Sequence, residues 1–413
     1  MNTPKIALLM MLKNEEKRLP ITLASVLSYI DLIIVYDTGS TDSTIDILTF
    51  FSRRHNIPMF LKKGVFEDFS TSRNVSLTYA DEVCDRDPFD YILLCDCNDE
   101  LKNGDSLRRF ALEHRDDDLS DPLNTAWLMK QTWYAGCDSS YFNVRLIRPR
   151  QQWFFKGVVH EFIEKLNAQC YVTNQVPDCV LYQDRTLDDD KSGKRFFRDK
   201  VLLLEEYRKT PSDPRTVFYL AQTYSCLDML QEAYFFYEIR TRMTGFQEET
   251  FHSYLRMGMI VGKLFPQRNN LPAVEIKDMT VPINISWDTA AACFLNAFEV
   301  CQRVEPLIYL IEHYRHKEEY LMAYTFAKLA ISLPATECIL FVESDMYEYS
   351  RWHLMGIVAF YAYKKLNSSD ENILLDGWRS CIEAIKARNY DIDIQNIKFY
   401  EESLHIKKDE VLF

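Results

Sequence analysis

Leu32-Ile33-Ile34-Val35-Tyr36-Asp37-Thr38-Gly39-Ser40-Thr41-Asp42 runs an uncharged apolar segment into a carboxylate, a glycine and a group of hydroxyls. Leu32 to Tyr36 is short and rich in β-branched residues, the pattern of a strand buried on both faces. The Ser, Thr and Asp beyond it are helix-capping residues, and Ile45, Leu48 and Phe51 form the apolar face of the helix they start. The segment is therefore a strand-to-helix turn that presents a carboxylate and free N–H groups at its end. Asp37 is placed to accept the imide N–H of a uracil or a comparable base edge, and Gly39 lets the backbone turn tightly beneath a nucleoside. An ordinary capped turn uses the same residues, so the flanking segments have to separate the two readings.

Upstream, Ile6 to Leu12 reads as a buried first strand, and Leu19, Leu23, Val26, Leu27 and Ile30 recur at helical spacing after it. Downstream, Pro58 to Leu61 is a third strand and Tyr91 to Cys95 a fourth that ends in an acidic cluster. This rhythm of strand and helix predicts an α/β domain with a parallel sheet covered on both faces, whose ligands sit at the carboxyl ends of the strands. From Trp127 to Ile147 aromatic and β-branched residues predict added mixed or antiparallel strands. The chain turns polar near Thr186 to Lys194, and beyond it almost every segment reads as helix. Residues 1–190 are thus expected to form the α/β domain and 191–413 an all-α domain. Leu220, Ala221, Tyr224, Ala233 and Tyr237 fit a tetratricopeptide-like hairpin, and Ile311, Tyr314, Ala323, Ala327 and Ala330 repeat the register before Pro334. Such hairpins stack, because one alone cannot bury its apolar face.

With 413 residues, 47% apolar and 26% charged, the chain is long enough for two folding units. A net charge of -13 opposes a nucleic-acid partner, since phosphate neutralisation needs a concentrated Lys/Arg surface. Eleven scattered cysteines without zinc-type pairs predict reduced thiols in a cytoplasmic setting, the host cytoplasm for a viral chain. Ile6 to Leu12 meets Lys13 and Glu15 at once and makes a poor signal peptide. His353 to Tyr363 holds about half of the ~20 residues a span needs, so no transmembrane segment is expected.

The second chemical constellation is Leu93-Leu94-Cys95-Asp96-Cys97-Asn98-Asp99-Glu100, an apolar strand that delivers oxygen ligands to its carboxyl end. Mg²⁺ or Mn²⁺ held by such carboxylates can neutralise the phosphate that departs in sugar transfer. A solvated acidic loop has the same composition. Further on, Trp127, Trp133, Tyr134 and Tyr141 suit either an acceptor groove, where sugar faces stack on rings, or sheet packing.

Taken in order, these blocks resemble the family 2 glycosyltransferases of GT-A fold, particularly a bacterial-type and giant-virus-type group with tetratricopeptide repeats behind the catalytic domain. Met11-Leu12-Lys13-Asn14-Glu15-Glu16 is similar to the family's opening strand and nucleoside-contacting turn, and Asp37 to Thr44 to its DDGSTDGT-like loop, with Tyr36 at the first position. Phe69 to Asn74 resembles the block whose Arg-Asn sits near the nucleotide. Asp96 to Leu101 resembles the metal-binding DxD block, with Asn98 where the family has a second carboxylate. Arg145-Leu146-Ile147-Arg148, Trp153 and Gly157-Val158-Val159-His160-Glu161 resemble its RLxR and GxxHE region.

The resemblance implies a GT-A fold, Rossmann-like with a mixed central sheet, followed by the helical repeats. It implies metal-dependent, inverting transfer of sugar from a nucleoside-diphosphate donor, with UDP favoured, to a glycan or protein hydroxyl. Lys13, Glu15, Asp37, Gly39, Arg73, Asp96, Cys97 and Arg195 would hold the nucleotide sugar, with Lys191, Lys194 and Arg198 near the same clamp. Asp96, Asn98 and His160 would hold Mn²⁺ or Mg²⁺, Asp99 being the substitute ligand. Glu161 or Asp99 would act as catalytic carboxylate, and Trp133, Tyr134 and Trp153 would meet the acceptor. The two aspartates closing the second and fourth strands are expected to share one cleft. The repeats would brace the catalytic half, form a homodimer or bind a protein acceptor. Two other readings stay open: a sugar nucleotidyltransferase, which lacks its Gly-rich basic phosphate loop here, and a binding scaffold whose front domain is weakened at Asn98.

Overall fold

The structure is a computed structural model and describes residues 3–134, 138–166, 172, 174–184, 191–267, 284–366 and 370–405. The chain divides into two compact units, Met1–Glu206 and Tyr207–Phe413.

In the first unit β1 (Ile6–Leu12), β2 (Leu32–Asp37), β3 (Met59–Lys63) and β4 (Tyr91–Leu94) lie parallel in the order β3-β2-β1-β4. Alternate residues enter opposite cores: Ile6, Leu8, Met10, Leu12, Ile33, Val35 and Leu93 one, Ala7, Leu9, Leu32, Ile34, Ile92 and Leu94 the other. An unbroken apolar strand demands cover on both faces, and the helices supply it. Leu19, Leu23 and Val26 of α1 (Leu19–Val26), Leu48 of α2 (Thr44–His55) and Leu107 and Phe110 of α4 (Gly104–Glu113) close the first core. Leu77, Ala80, Val83 and Cys84 of α3 (Phe69–Arg86) close the second. Each large aliphatic side chain buried this way contributes roughly 1.5–3 kcal/mol before entropy.

The sheet continues through β7 (Asp138–Ile147), antiparallel to β4, and β6 (Ala126–Tyr134), antiparallel to β7. Then come β10 (Gln175–Asp184), parallel to β6, and the short β5 (Glu100–Lys102). Two reversals leave β6 and β10 running in the direction of β1. The carboxyl ends of β1, β2, β4, β6 and β10 therefore share one edge. The hairpin β8 (Trp153–Lys156) and β9 (Phe162–Lys165) forms its own small sheet and packs on α3. The α/β class with a mixed central sheet and a following helical half is as expected. The third strand starts at Met59 rather than Pro58, and the fourth ends at Leu94.

Thr186 to Asp190, part of the expected boundary, lie outside the described residues, and α5 (Lys191–Lys209) follows. The second unit is a run of helices, α6 (Pro214–Cys226), α7 (Leu230–Thr241), α8 (Gln247–Leu264), α9 (Trp287–Val300), α10 (Glu305–His316), α11 (Tyr320–Ser332), α12 (Arg351–Lys365), α13 (Glu371–Ala387) and α14 (Asp391–Leu404). Neighbours in sequence pack together along it. Leu220, Ala221, Tyr224, Ala233, Tyr237, Ile311, Ala323, Ala327 and Ala330 are all fully buried, as hairpin packing requires, while Tyr314 is half-buried. Among the described residues no helix is long and apolar enough to cross a membrane, and none of the nine cysteines there is in a disulfide.

Candidate active site

The shared edge begins where β1 and β2 end side by side, Leu12 opposite Asp37. Two loops leave these strands and are stitched together. Asn14, in the left-handed region at φ 56, accepts the Thr41 amide on Oδ1 at 2.8 Å, while its own amide donates to Ser40 Oγ at 3.1 Å. The Glu15 amide donates to Thr44 Oγ1 at 2.7 Å, the Glu16 amide to Asp42 Oδ2 at 3.2 Å, and the Ser43 amide to Glu16 Oε2 at 3.1 Å. Side chains thus hold the amides of both loops just ahead of α2. Asp37, 2% exposed, accepts the Ser40 amide on Oδ1 at 2.9 Å; Gly39 follows at φ +101, open to solvent. Tyr36, where the resembled family has a carboxylate, packs over Gly64, whose Cβ would lie 2.2 Å from the tyrosine hydroxyl. Only a glycine admits that ring.

One strand further on, beyond β4, Arg73 of α3 joins two carboxylates. Its Nη2 donates to Asp96 Oδ1 at 2.7 Å and its Nε to Glu161 Oε1 at 2.5 Å, with Phe155 stacked 5.4 Å from the guanidinium. Arg145 of β7 donates to the other Asp96 oxygen at 3.1 Å and lies 3.9 Å from Asp99. Asp99, 1% exposed, accepts the Asp96 amide at 2.8 Å and Gln183 Nε2 of β10 at 2.6 Å. Thr22 Oγ1 of α1 donates to the Cys97 carbonyl at 2.8 Å and fixes the turn from beneath. Burial alone would raise the Asp96 carboxyl, but the Arg73 and Arg145 guanidiniums hold it well below the usual range. Asp99 moves the other way: burial lifts it, Arg145 opposes, and the Asp96 charge adds.

The hairpin carrying Glu161 is docked by Asn74, whose amide oxygen accepts the Phe155 N–H at 2.6 Å and whose Nδ2 donates to the Phe155 carbonyl at 2.9 Å. Asn74 therefore ties α3 to β8, and within the expected nucleotide block only Arg73 turns to the acidic cluster. His160 is exposed and left-handed at φ 52. Arg198 of α5 lies over Phe66 and Phe69 at 5.4 and 4.9 Å. Asp199 next to it is raised by burial, with Arg198 and Arg195 opposing and Glu161 adding. Arg195 is exposed near this group, and the side chains of Lys191 and Lys194 lie outside the described residues.

Strand parity separates the two expected aspartates. Asp37 follows Ile33 and Val35 towards the face of α1 and α2, whereas Asp96 meets Arg73 on the α3 face. They occupy the same edge, with the end of β1 and exposed Lys13 between them, rather than facing one another directly. Trp133 and Tyr134 end β6 on this edge; Trp133 stacks edge-on with Tyr141 at 5.1 Å and Tyr134 is 39% exposed.

Among the expected site residues, Asp99, Cys97 and Trp153 are buried. Asp99 has both oxygens engaged in a buried turn and is not placed to act as a base. Cys97 sends its side chain into the core, because the turn over Thr22 points it inward. Trp153 is a core residue of the β8 hairpin rather than a groove wall. Gln183, which carried no expectation, and Asn14, Asp42 and Thr44, expected only as members of their motif blocks, prove central to the site's framework.

A divalent cation at Asp96, Asn98 or Asp99 and His160 does not fit these residues. Every oxygen of Asp96 and Asp99 already accepts a hydrogen bond. Among the described residues no three His, Cys, Asp or Glu side chains are grouped to hold an ion. What remains of the turn is the half-buried, neutral Asn98 amide.

No family model and no curated protein matches the chain. Among solved structures, S. aureus TarS 1-349 in complex with UDP-GlcNAc aligns at 11% identity and TM-score 0.34, covering 97% of this chain and 91% of that one. A longer S. aureus TarS structure aligns at 10% identity and TM-score 0.30, over 90% of this chain and 55% of that one. TTC0263, a thermophilic TPR protein of Thermus thermophilus, aligns at 16% identity and TM-score 0.28, over 52% of this chain and 94% of its own. With TM-scores this low, function has to be argued from the residues themselves.

Proposed function

We propose that the chain is a glycosyltransferase that moves a sugar from a nucleoside-diphosphate sugar, a UDP-sugar foremost, to a hydroxyl of a glycan or protein. One observation carries the reading. The Asp37 turn and the Arg73–Asp96–Glu161 cluster lie on the same carboxyl edge, separated only by the end of β1. Neighbouring strands are ~4.8 Å apart, so the two groups stand about 10 Å apart along the edge. That distance suits a nucleoside with its base at Asp37 and its diphosphate crossing β1 past Lys13. The ordered motif blocks of the first half point to the same chemistry.

Glu161 is the base in this reading. Arg73 uses one of its oxygens, and the other has no hydrogen-bond partner among the described residues. That oxygen takes the proton of an acceptor hydroxyl, whose oxygen attacks the anomeric carbon as the bond to the diphosphate breaks, inverting that carbon. Arg73 sets the carboxylate's position through Nε while its Nη2 is fixed on Asp96, so orientation rather than new binding supplies much of the rate. Trp133 and Tyr134 are suited to stacking a sugar face on the same edge.

The test is release of nucleoside diphosphate from UDP-, GDP- and TDP-sugars. One donor should turn over, and Glu161→Gln should slow it by roughly 10²–10⁴-fold, the usual range for losing a general base. Turnover of no donor, or unchanged turnover in Glu161→Gln, contradicts the proposal.

A further inference from the structure

We infer that the Asp96–Asp99 turn is wired to arginine instead of to a divalent cation, so that sugar transfer by this chain runs without Mn²⁺ or Mg²⁺. The second half of that statement rests on the proposed function; the first stands on geometry alone.

Mg²⁺ at phosphate-transfer sites is held by one or two carboxylates together with the substrate's phosphates. Here both carboxylates of the turn are already paired with other groups. Asp96 Oδ1 accepts from Arg73 at 2.7 Å and Oδ2 from Arg145 at 3.1 Å. Asp99 folds back on the Asp96 amide at 2.8 Å and is fixed by Gln183 at 2.6 Å. The position between them is Asn98, an oxygen donor without charge.

Displacing the arginines is costly because both are largely buried and each holds more than one carboxylate. Arg73 and Arg145 have side chains only 13% and 9% exposed, and each is shared with a second carboxylate, Glu161 for Arg73 and Asp99 for Arg145. A cation on Asp96 would meet two guanidiniums on the same carboxylate, and guanidinium does not shed its proton to make room as an ammonium can. Leaving a buried charge unpaired is strongly unfavourable. Charge building on the leaving diphosphate is then met by side-chain cations at the edge, of which exposed Lys13 stands at the end of β1.

Mn²⁺ electron paramagnetic resonance on the intact chain reads the turn directly. Adding protein should leave the free Mn²⁺ signal unchanged, and adding protein to Mn²⁺ with UDP should remove no more signal than UDP alone. UDP affinity by calorimetry should agree within about twofold between EDTA and Mn²⁺, since an ion absent from the complex adds no linkage. Asn98→Asp, which places a further carboxylate at this half-buried position of the turn, should bind Mn²⁺ at least tenfold more tightly than the natural chain.

Mn²⁺ binding by the natural chain that equals Asn98→Asp, or that is lost in Asn98→Ala, overturns the inference. Asn98 is used because Asp96 variants strand two arginines and can fail to fold. If no nucleoside diphosphate binds, the transferase reading fails, while the Mn²⁺ titration of protein alone still decides the turn.

Discussion

Arg73 holds two carboxylates from different parts of the chain, and Arg145 completes the frame from the opposite side of Asp96. Removing one member leaves charges buried without their partner. Arg145→Met should therefore lower stability by about 3 kcal/mol, measured by urea unfolding, with part of the loss restored in the double variant Asp96→Asn/Arg145→Met. Equal losses in the single and double variants would show that the pair is not coupled. The same pairing has a pH signature. Because the Asp96 carboxyl is held below its unfolded value, its contribution is complete above the ordinary aspartate range and is lost as pH falls from that range towards the lower folded value. Asp37, Arg73, Asp96 and Glu161 were legible as candidates from their motif blocks. The use made of Asp99 was not, because it depends on Gln183, 84 positions away.

At the level of elements, Asn74 shows how a motif residue can serve the scaffold. Asn74→Ala strands the Phe155 N–H and carbonyl and should destabilise the first unit by about 1–3 kcal/mol. It should also reduce transfer, since the hairpin it docks carries Glu161; an active, fully stable variant would contradict this. In the helical unit, His252 of α8 lies between the rings of Phe218 and Phe341, at 5.8 and 4.8 Å. Burial, with help from Arg256 and Arg303, pushes its imidazole down to about 3. The unfolded chain binds this proton below about 6.5 and the folded chain does not, so stability falls as pH drops between those values. His252→Phe should flatten that fall, read as the change in urea midpoint between pH 7 and pH 5; a parallel fall in both proteins contradicts it. Strands β1, β2 and β4 were legible because their apolar runs are unbroken. The three-residue β5, the β8 hairpin and β10 were not, since their short or mixed patterns acquire meaning only once a partner strand is known. α3 was hidden for a related reason: its buried face includes Ser72 and Ser76, which carry no apolar signal.

Across the whole chain, the change from strand-and-helix rhythm to helix alone was readable because burial on two faces and burial along a stripe leave different periodicities. The location of the carboxyl edge was readable too, since parallel strands must end together. Which face of that edge each aspartate takes was not, because it follows from strand parity and from Arg73 reaching over from α3. The central claim is that this edge binds a nucleoside diphosphate with its base against Asp37. Calorimetric titration of UDP, GDP and TDP into the intact chain and into Asp37→Ala tests it most directly. One nucleotide should bind the natural chain and bind Asp37→Ala at least tenfold more weakly, a loss of about 1.4 kcal/mol or more; binding of none of the three, or equal binding to both proteins, would contradict it.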